Sequence, residues 1–280
     1  MCDETAFTMN RRHFGQIGAA AALAACSGEG IAASGRKLAE GMVDIATPDG
    51  TADGFFVRPA KGRHPAIILW PDIAGLRDAK KAMARRLAGE GFAVLVVNQY
   101  YRSSRAPVLQ SFAEWRTTEG QARLRPMIVA ITPDGIERDA TALVRWLDGQ
   151  KAVDTSRGIG SSGFCMGGPF AIRTAHAAPG RVRAAASFHG GSLVTDRPDS
   201  PHRLLAATRA GYLIAIARND DAKAPDDKTV LKEAAAAAGR PAEIQVFQAD
   251  HGWTVPDSPV YDAAEADRAY ARQLVLFRTL

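Results

Sequence analysis

Cysteine is scarce in this chain. Of 280 residues only Cys2, Cys26 and Cys165 carry a thiol, and Cys165 alone lies beyond the first 34. No internal disulfide framework can hold the body together. Long apolar runs are also missing: the longest mild one, residues 15–25, is too short to span a bilayer. The histidines show no H-x-x-x-H pair and no Cys/His ligand spacing, so no metal and no cofactor are expected. Nor is there an internal repeat or a domain-linker composition. The formal charge is +5, from 35 basic and 30 acidic residues, but the cations are scattered. Their one small cluster, Lys80, Lys81, Arg85 and Arg86, reads as the solvated face of a helix. That excludes the concentrated basic patch of a nucleic-acid binder.

What is present is the composition of an ordinary globular protein, 46% apolar and 23% charged. The length suits one large domain with a well-buried core. Residues 66–70 and 93–97 are apolar runs fit for strands buried on both faces. Shorter strands are expected at 43–46, 54–58, 182–188, 211–217 and 242–247. Helices are expected at 78–90, 134–147, 228–238 and 261–277. Residues 103–132 lack periodicity and read as a cap or loop with one short helix. Alternating strands and helices imply a mainly parallel sheet covered on both faces.

The first 34 residues read as an address, leaving 35–280 as the folded domain. Arg11-Arg12 precede a weakly hydrophobic stretch and then small residues. That order resembles a twin-arginine export signal and points to a periplasmic destination. Leu23-Ala24-Ala25-Cys26 also resembles a lipobox, in which Cys26 would anchor the protein to a membrane. Cleavage near Ala32-Ala33 is the alternative.

Gly163-Phe164-Cys165-Met166-Gly167-Gly168 is the most informative stretch. A short strand leads into it and residues 169–175 begin a helix. Strand, tight turn and helix form the nucleophile elbow of the α/β-hydrolases, here with Cys at the apex instead of the usual Ser. The glycines two positions either side of Cys165 leave room where strand and helix crowd the turn. A cysteine nucleophile needs a base and an acid that orients the base. His251 follows the last strand and is the base candidate. Asp220 follows the strand 211–217, with Asp221 open as the alternative one residue on. Both lie beyond the C-terminal ends of strands, where an open parallel sheet carries its active site.

With these residues in view, the chain from about residue 43 onward resembles the dienelactone hydrolase family. The anchors are Trp70-Pro71-Asp72-Ile73-Ala74-Gly75-Leu76, Asn98-Gln99-Tyr100, the Cys165 elbow, Ser187-Phe188-His189-Gly190-Gly191, Asn219-Asp220-Asp221 and Asp250-His251-Gly252. The resemblance implies an α/β-hydrolase fold and a triad of Cys165, Asp220 and His251. It implies an oxyanion hole from the backbone N–H groups of Met166 and Ile73. Asp72 stands where the family has a Glu that contacts the resting thiol, and either holds the thiol or caps the following helix. Arg102 matches an arginine that grips a substrate carboxylate. Val255 occupies the place of the second such arginine, which points toward a different or less acidic ester or lactone. His189 either lines the pocket or is a structural histidine.

The expected activity is thus a cofactor-free hydrolysis of a small-molecule ester or lactone by a monomer or dimer. A broad carboxylesterase or thioesterase is the first alternative. An exported binding protein on the same scaffold, without catalysis, is the second, and a redox-sensing thiol the third.

Overall fold

The computed structural model describes residues 35–280; the expected export signal and lipobox-like segment with Cys26 lie outside them. In chain order the elements are β1 (Leu38–Thr47), β2 (Gly50–Pro59), β3 (Ala66–Trp70), α1 (Asp78–Gly89), β4 (Ala93–Val97), α2 (Phe112–Trp115), α3 (Thr118–Val129) and α4 (Pro133–Asp148). Then follow β5 (Ile159–Phe164), α5 (Gly167–Ala177), β6 (Val182–Phe188), α6 (Pro201–Leu204), β7 (Gly211–Ala217), α7 (Arg218–Lys223), α8 (Asp227–Ala237), β8 (Ala242–Phe247) and α9 (Ala263–Phe277).

The sheet has eight strands in the order β1-β2-β4-β3-β5-β6-β7-β8. The pairs from β3 to β8 are parallel, whereas β1 with β2 and β2 with β4 are antiparallel. The strands β3, β4 and β5 are buried at every residue. Their continuous apolar runs follow from helices covering both faces. One face packs on α1 and α9 through Leu69, Val96, Phe164, Phe188, Leu87 and Phe277. The other packs on α4, α5 and α8 through Ile68, Leu95, Leu143, Ile172 and Leu231. After β3 the chain steps to β4 on one side, then returns to lay β5 on the other. Their exit loops therefore part at β3/β5 and open a crevice there.

Two expectations change in detail. The first hairpin is longer than residues 43–58, because β1 and β2 pair over their full lengths around Pro48-Asp49. The segment 103–132 holds two helices, α2 and α3, not one. In α3 only Gly120 and Leu124 are buried, so few apolar positions mark its period.

Candidate active site

The elbow sits at the C-terminal end of β5. Its geometry requires glycine: a Cβ on Gly163 would lie 1.8 Å from the Gly167 carbonyl oxygen, and one on Gly167 would lie 2.5 Å from the Trp70 and Pro71 carbonyl oxygens. Cys165 is held at φ 53°. That left-handed backbone costs a non-glycine residue about 1–3 kcal/mol, which the surrounding structure must enforce. Here the enforcing contacts are visible. The Cys165 N–H donates to the Phe188 carbonyl at 3.0 Å and to His189 Nδ1 at 3.1 Å.

His251 reaches the site from the loop after β8. Its Nδ1–H donates to Asp220 Oδ2 at 2.6 Å, and its backbone N–H donates to Asn219 Oδ1 at 2.9 Å. The loop expected after β7 is the short helix α7, which carries Asp220 in its first turn. The two acidic neighbours separate cleanly: Asp221 pairs with Lys228 at 2.7 Å, and Asp250 pairs with Arg218 at 2.9 Å. Burial disfavours a charged His251, but hydrogen bonds to Asp220 and Cys165 outweigh it and push the imidazole up to about 10. With Nδ1 given to Asp220, Nε2 is the nitrogen left for the sulfur.

His189 is fully buried beneath this pair. Its ring lies 4.8 Å from that of His251, and its Nε2–H donates to Thr254 Oγ1 at 3.0 Å. Burial first, and then the charges of His251 and Lys80, hold it well below the usual histidine range. His189 is a neutral acceptor under the Cys165 backbone, and of its two readings the structural one describes these contacts.

The β3 exit loop is tied down by its carbonyls. Gln99 donates to the Asp72 oxygen, Tyr100 Oη–H to the Ile73 oxygen at 2.7 Å, and Arg77 to the Gly75 oxygen. Among the described residues, the backbone N–H groups of Ile73 and Met166 have no hydrogen-bond acceptor. Both residues are half-buried.

Asp72 and Arg102 depart from the roles expected of them. Asp72 accepts from Ala74 N–H and from Arg77 Nη1 at 2.8 Å, and pairs with Lys80 Nζ at 2.9 Å. Burial would raise this carboxyl, but Lys80 and Arg77 hold it far below the usual range. Its oxygens are thus committed to two cations. Arg102 bridges Asp139, with both nitrogens at 2.8 Å, and Asp49 at 2.6 Å. Its guanidinium is spent on the protein instead of standing free for a substrate carboxylate. Val255 is buried.

Lys80 corrects the reading of a solvated basic face. It has no exposure, whereas Lys81, Arg85 and Arg86 pair with Asp78, Glu40 and Asp267 at the surface. Sequence reasoning also missed Arg77, which links Asp72 to Asp257 at 2.7 Å; Asp257 in turn accepts the Phe112 N–H. The β3 exit loop, the His251 loop and α2 are joined through one guanidinium. Lys80 shares its helical face with buried Ala84 and Leu87, a spacing that marks it as inward.

Two cavities flank the site. One, of about 280 Å³, begins at Met166 and Phe170. The other, of about 250 Å³, lies under Phe164 and Phe188 against α1 and α9. Among the described residues, no group of three or more His, Cys, Asp or Glu is arranged to hold a metal ion, and no helix is long and apolar enough to cross a membrane.

The family model of the dienelactone hydrolase family matches residues 52–280. The chain belongs to the dienelactone hydrolase family. It is 28% identical over 255 residues to a Methylorubrum extorquens protein named "Putative carboxymethylenebutenolidase", covering 89% of this chain and 84% of that one. It is 28% identical over 213 residues to a carboxymethylenebutenolidase of Rhodococcus opacus, covering 72% and 77%. Among solved structures, a "Putative Dienelactone Hydrolase" from Klebsiella pneumoniae superposes with a TM-score of 0.75 at 21% identity, covering 87% of this chain and all (100%) of that one. The fold is that of the α/β-hydrolases, and the protein is a lactone or ester hydrolase.

Proposed function

We propose that this family member hydrolyses its ester or lactone through Cys165, His251 and Asp220, by way of a thioester acyl-enzyme. The observation that carries the reading is the 2.6 Å bond from His251 Nδ1 to Asp220. It orients the imidazole and, with the nearby sulfur, keeps its proton at neutral pH.

The Cys165 thiolate attacks the carbonyl carbon. A C–S bond forms and the carbonyl π electrons move to oxygen, which the Met166 and Ile73 N–H groups receive. Each such donor contributes about 2.7–4 kcal/mol when aimed at the oxyanion. Collapse breaks the C–O bond, and His251 Nε2–H protonates the leaving alkoxide. The now neutral imidazole takes a proton from water, whose oxygen attacks the thioester. Collapse expels the thiolate and releases the acid, which leaves the protonated His251 and the Cys165 thiolate as they began. Asp220 stays ionised throughout and fixes the tautomer. His189, held neutral, avoids a second positive ring beside the imidazolium.

A panel of p-nitrophenyl esters, with intact-mass detection of the acyl adduct, tests the reading. Wild type turns over and carries the acyl mass. Cys165→Ala does neither, and Cys165→Ser is strongly impaired. Equal turnover by wild type and either variant contradicts the thiol mechanism.

A second reading, a broad carboxylesterase, draws support from the committed Arg102 and the buried Val255. Preference for simple esters over cis- and trans-dienelactone favours it.

A further inference from the structure

We infer that the groove beginning at Met166 is the substrate-selecting pocket, and that it takes a neutral ester or lactone bearing an apolar arm. This deepens the triad reading and rests on it. The groove, of about 280 Å³, runs between the end of α3, the start of α4 and the start of α5. Met166, Phe170, Ile128, Ile131 and Pro133 give it apolar walls. Met166 is also the residue after the nucleophile, and its N–H is free for an oxyanion. One residue thus forms both the end of the groove and a border of the reacting carbonyl. An apolar cavity of about 150 Å³ takes benzene, so this volume accommodates an arm of roughly six to ten carbons.

The charges along the groove argue against an anionic substrate. Arg173 is held by Glu137 at 3.0 Å and by Asp199 at 2.9 Å, and Arg197 by the same Asp199 at 2.9 Å. Two cations face two carboxylates, which leaves no excess positive charge. Arg102 is likewise committed to Asp139 and Asp49. A carboxylate-bearing substrate would meet guanidiniums already neutralised by the protein, with no surplus positive charge to draw it in. Thr195, one of the lining residues, has its Oγ1 buried without a hydrogen bond. Ser192, also lining the groove, is held at φ 56°, a strained backbone for a non-glycine residue.

The arm can sit on either side of the scissile bond, and two ester series separate the cases. One varies the acyl chain, as p-nitrophenyl acetate, butyrate, hexanoate and octanoate. The other varies the alcohol, as ethyl, butyl, hexyl and octyl acetate. The expected result is that kcat/KM climbs along one series by up to roughly fourfold per methylene buried, until the groove is full. In Ile128→Trp the hexanoate-to-acetate ratio, or its alcohol counterpart, falls at least tenfold. Competitive inhibition by methyl ketones of rising length gives the same answer in the unaltered protein, and its constants tighten with chain length. Flat dependence in both series with active enzyme, ketones of equal potency, or preference for cis-dienelactone over the neutral esters would overturn the inference and leave the triad standing. Full ester turnover by Cys165→Ala would overturn the triad reading, and this one with it.

Discussion

Two histidines with rings 4.8 Å apart are driven in opposite directions by their surroundings. His251 is half-buried, with a carboxylate on one nitrogen and a sulfur facing the other, and it is pushed up to about 10. His189 is fully buried, receives an amide N–H on Nδ1 and faces Lys80 and His251, and it stays neutral. The residue type is shared; depth in the fold and partners differ. In the proposed mechanism acid–base duty follows from burial and from what each ring nitrogen touches, and the buried imidazole serves as scaffold.

Breaking the His251 side has the largest effect. Asp220→Asn removes the acceptor of Nδ1–H, and kcat on a p-nitrophenyl ester should fall roughly 10²–10⁴-fold, as for loss of a positioned general acid–base. A drop of less than threefold would detach Asp220 from the mechanism.

Asp72 offers the matching contrast among carboxylates. Asp220 is partly exposed and pairs with His251, the proposed base, while Asp72 is buried and neutralises Arg77 and Lys80. Asp72→Asn leaves those cations short of a counter-charge, and urea unfolding should show a loss of about 3–5 kcal/mol. Unchanged stability would mean that the pair is replaceable by water.

His189→Phe should act more gently. Cys165 N–H keeps the Phe188 carbonyl, so kcat drops about tenfold, and stability falls by roughly 1–3 kcal/mol for the stranded Thr254 hydroxyl and the lost bond. The pH–rate profile keeps its shape, because His189 does not titrate in the working range. A displaced profile would reassign the base.

The smallest effect is on stability against pH. The folded His251 value lies above that of a free histidine, about 6.5. Its stabilisation is therefore complete below that value and is lost as pH rises through about 10. Thermal melts across this window should decline in wild type and decline less in Cys165→Ala.

The elbow was legible in the sequence because its demands are local: glycines at fixed offsets around one residue, then an acid and a base in chain order. Asp220 against Asp221 was not legible, since both lie in the first turn of α7 and only the fold shows that one meets His251 and the other Lys228. Lys80 was misread because lysine is rarely buried unless paired, and its partner Asp72 lies in the loop before the helix. Arg102 fits a functional arginine by position, yet its partners stand 37 and 53 residues away and no local pattern announces them. The groove at Met166 is assembled from α3, α4, α5 and the loop after β6, so its shape exists only once they pack.

The central claim, that His251 and not the buried His189 carries the proton for Cys165, is met most directly by NMR titration of the ring signals in wild type and Cys165→Ala. The account predicts a His251 that is protonated at neutral pH with a midpoint near 10, lowered in the variant, and a His189 that stays neutral throughout. A His251 already neutral at pH 7, or one indifferent to loss of the sulfur, would contradict it.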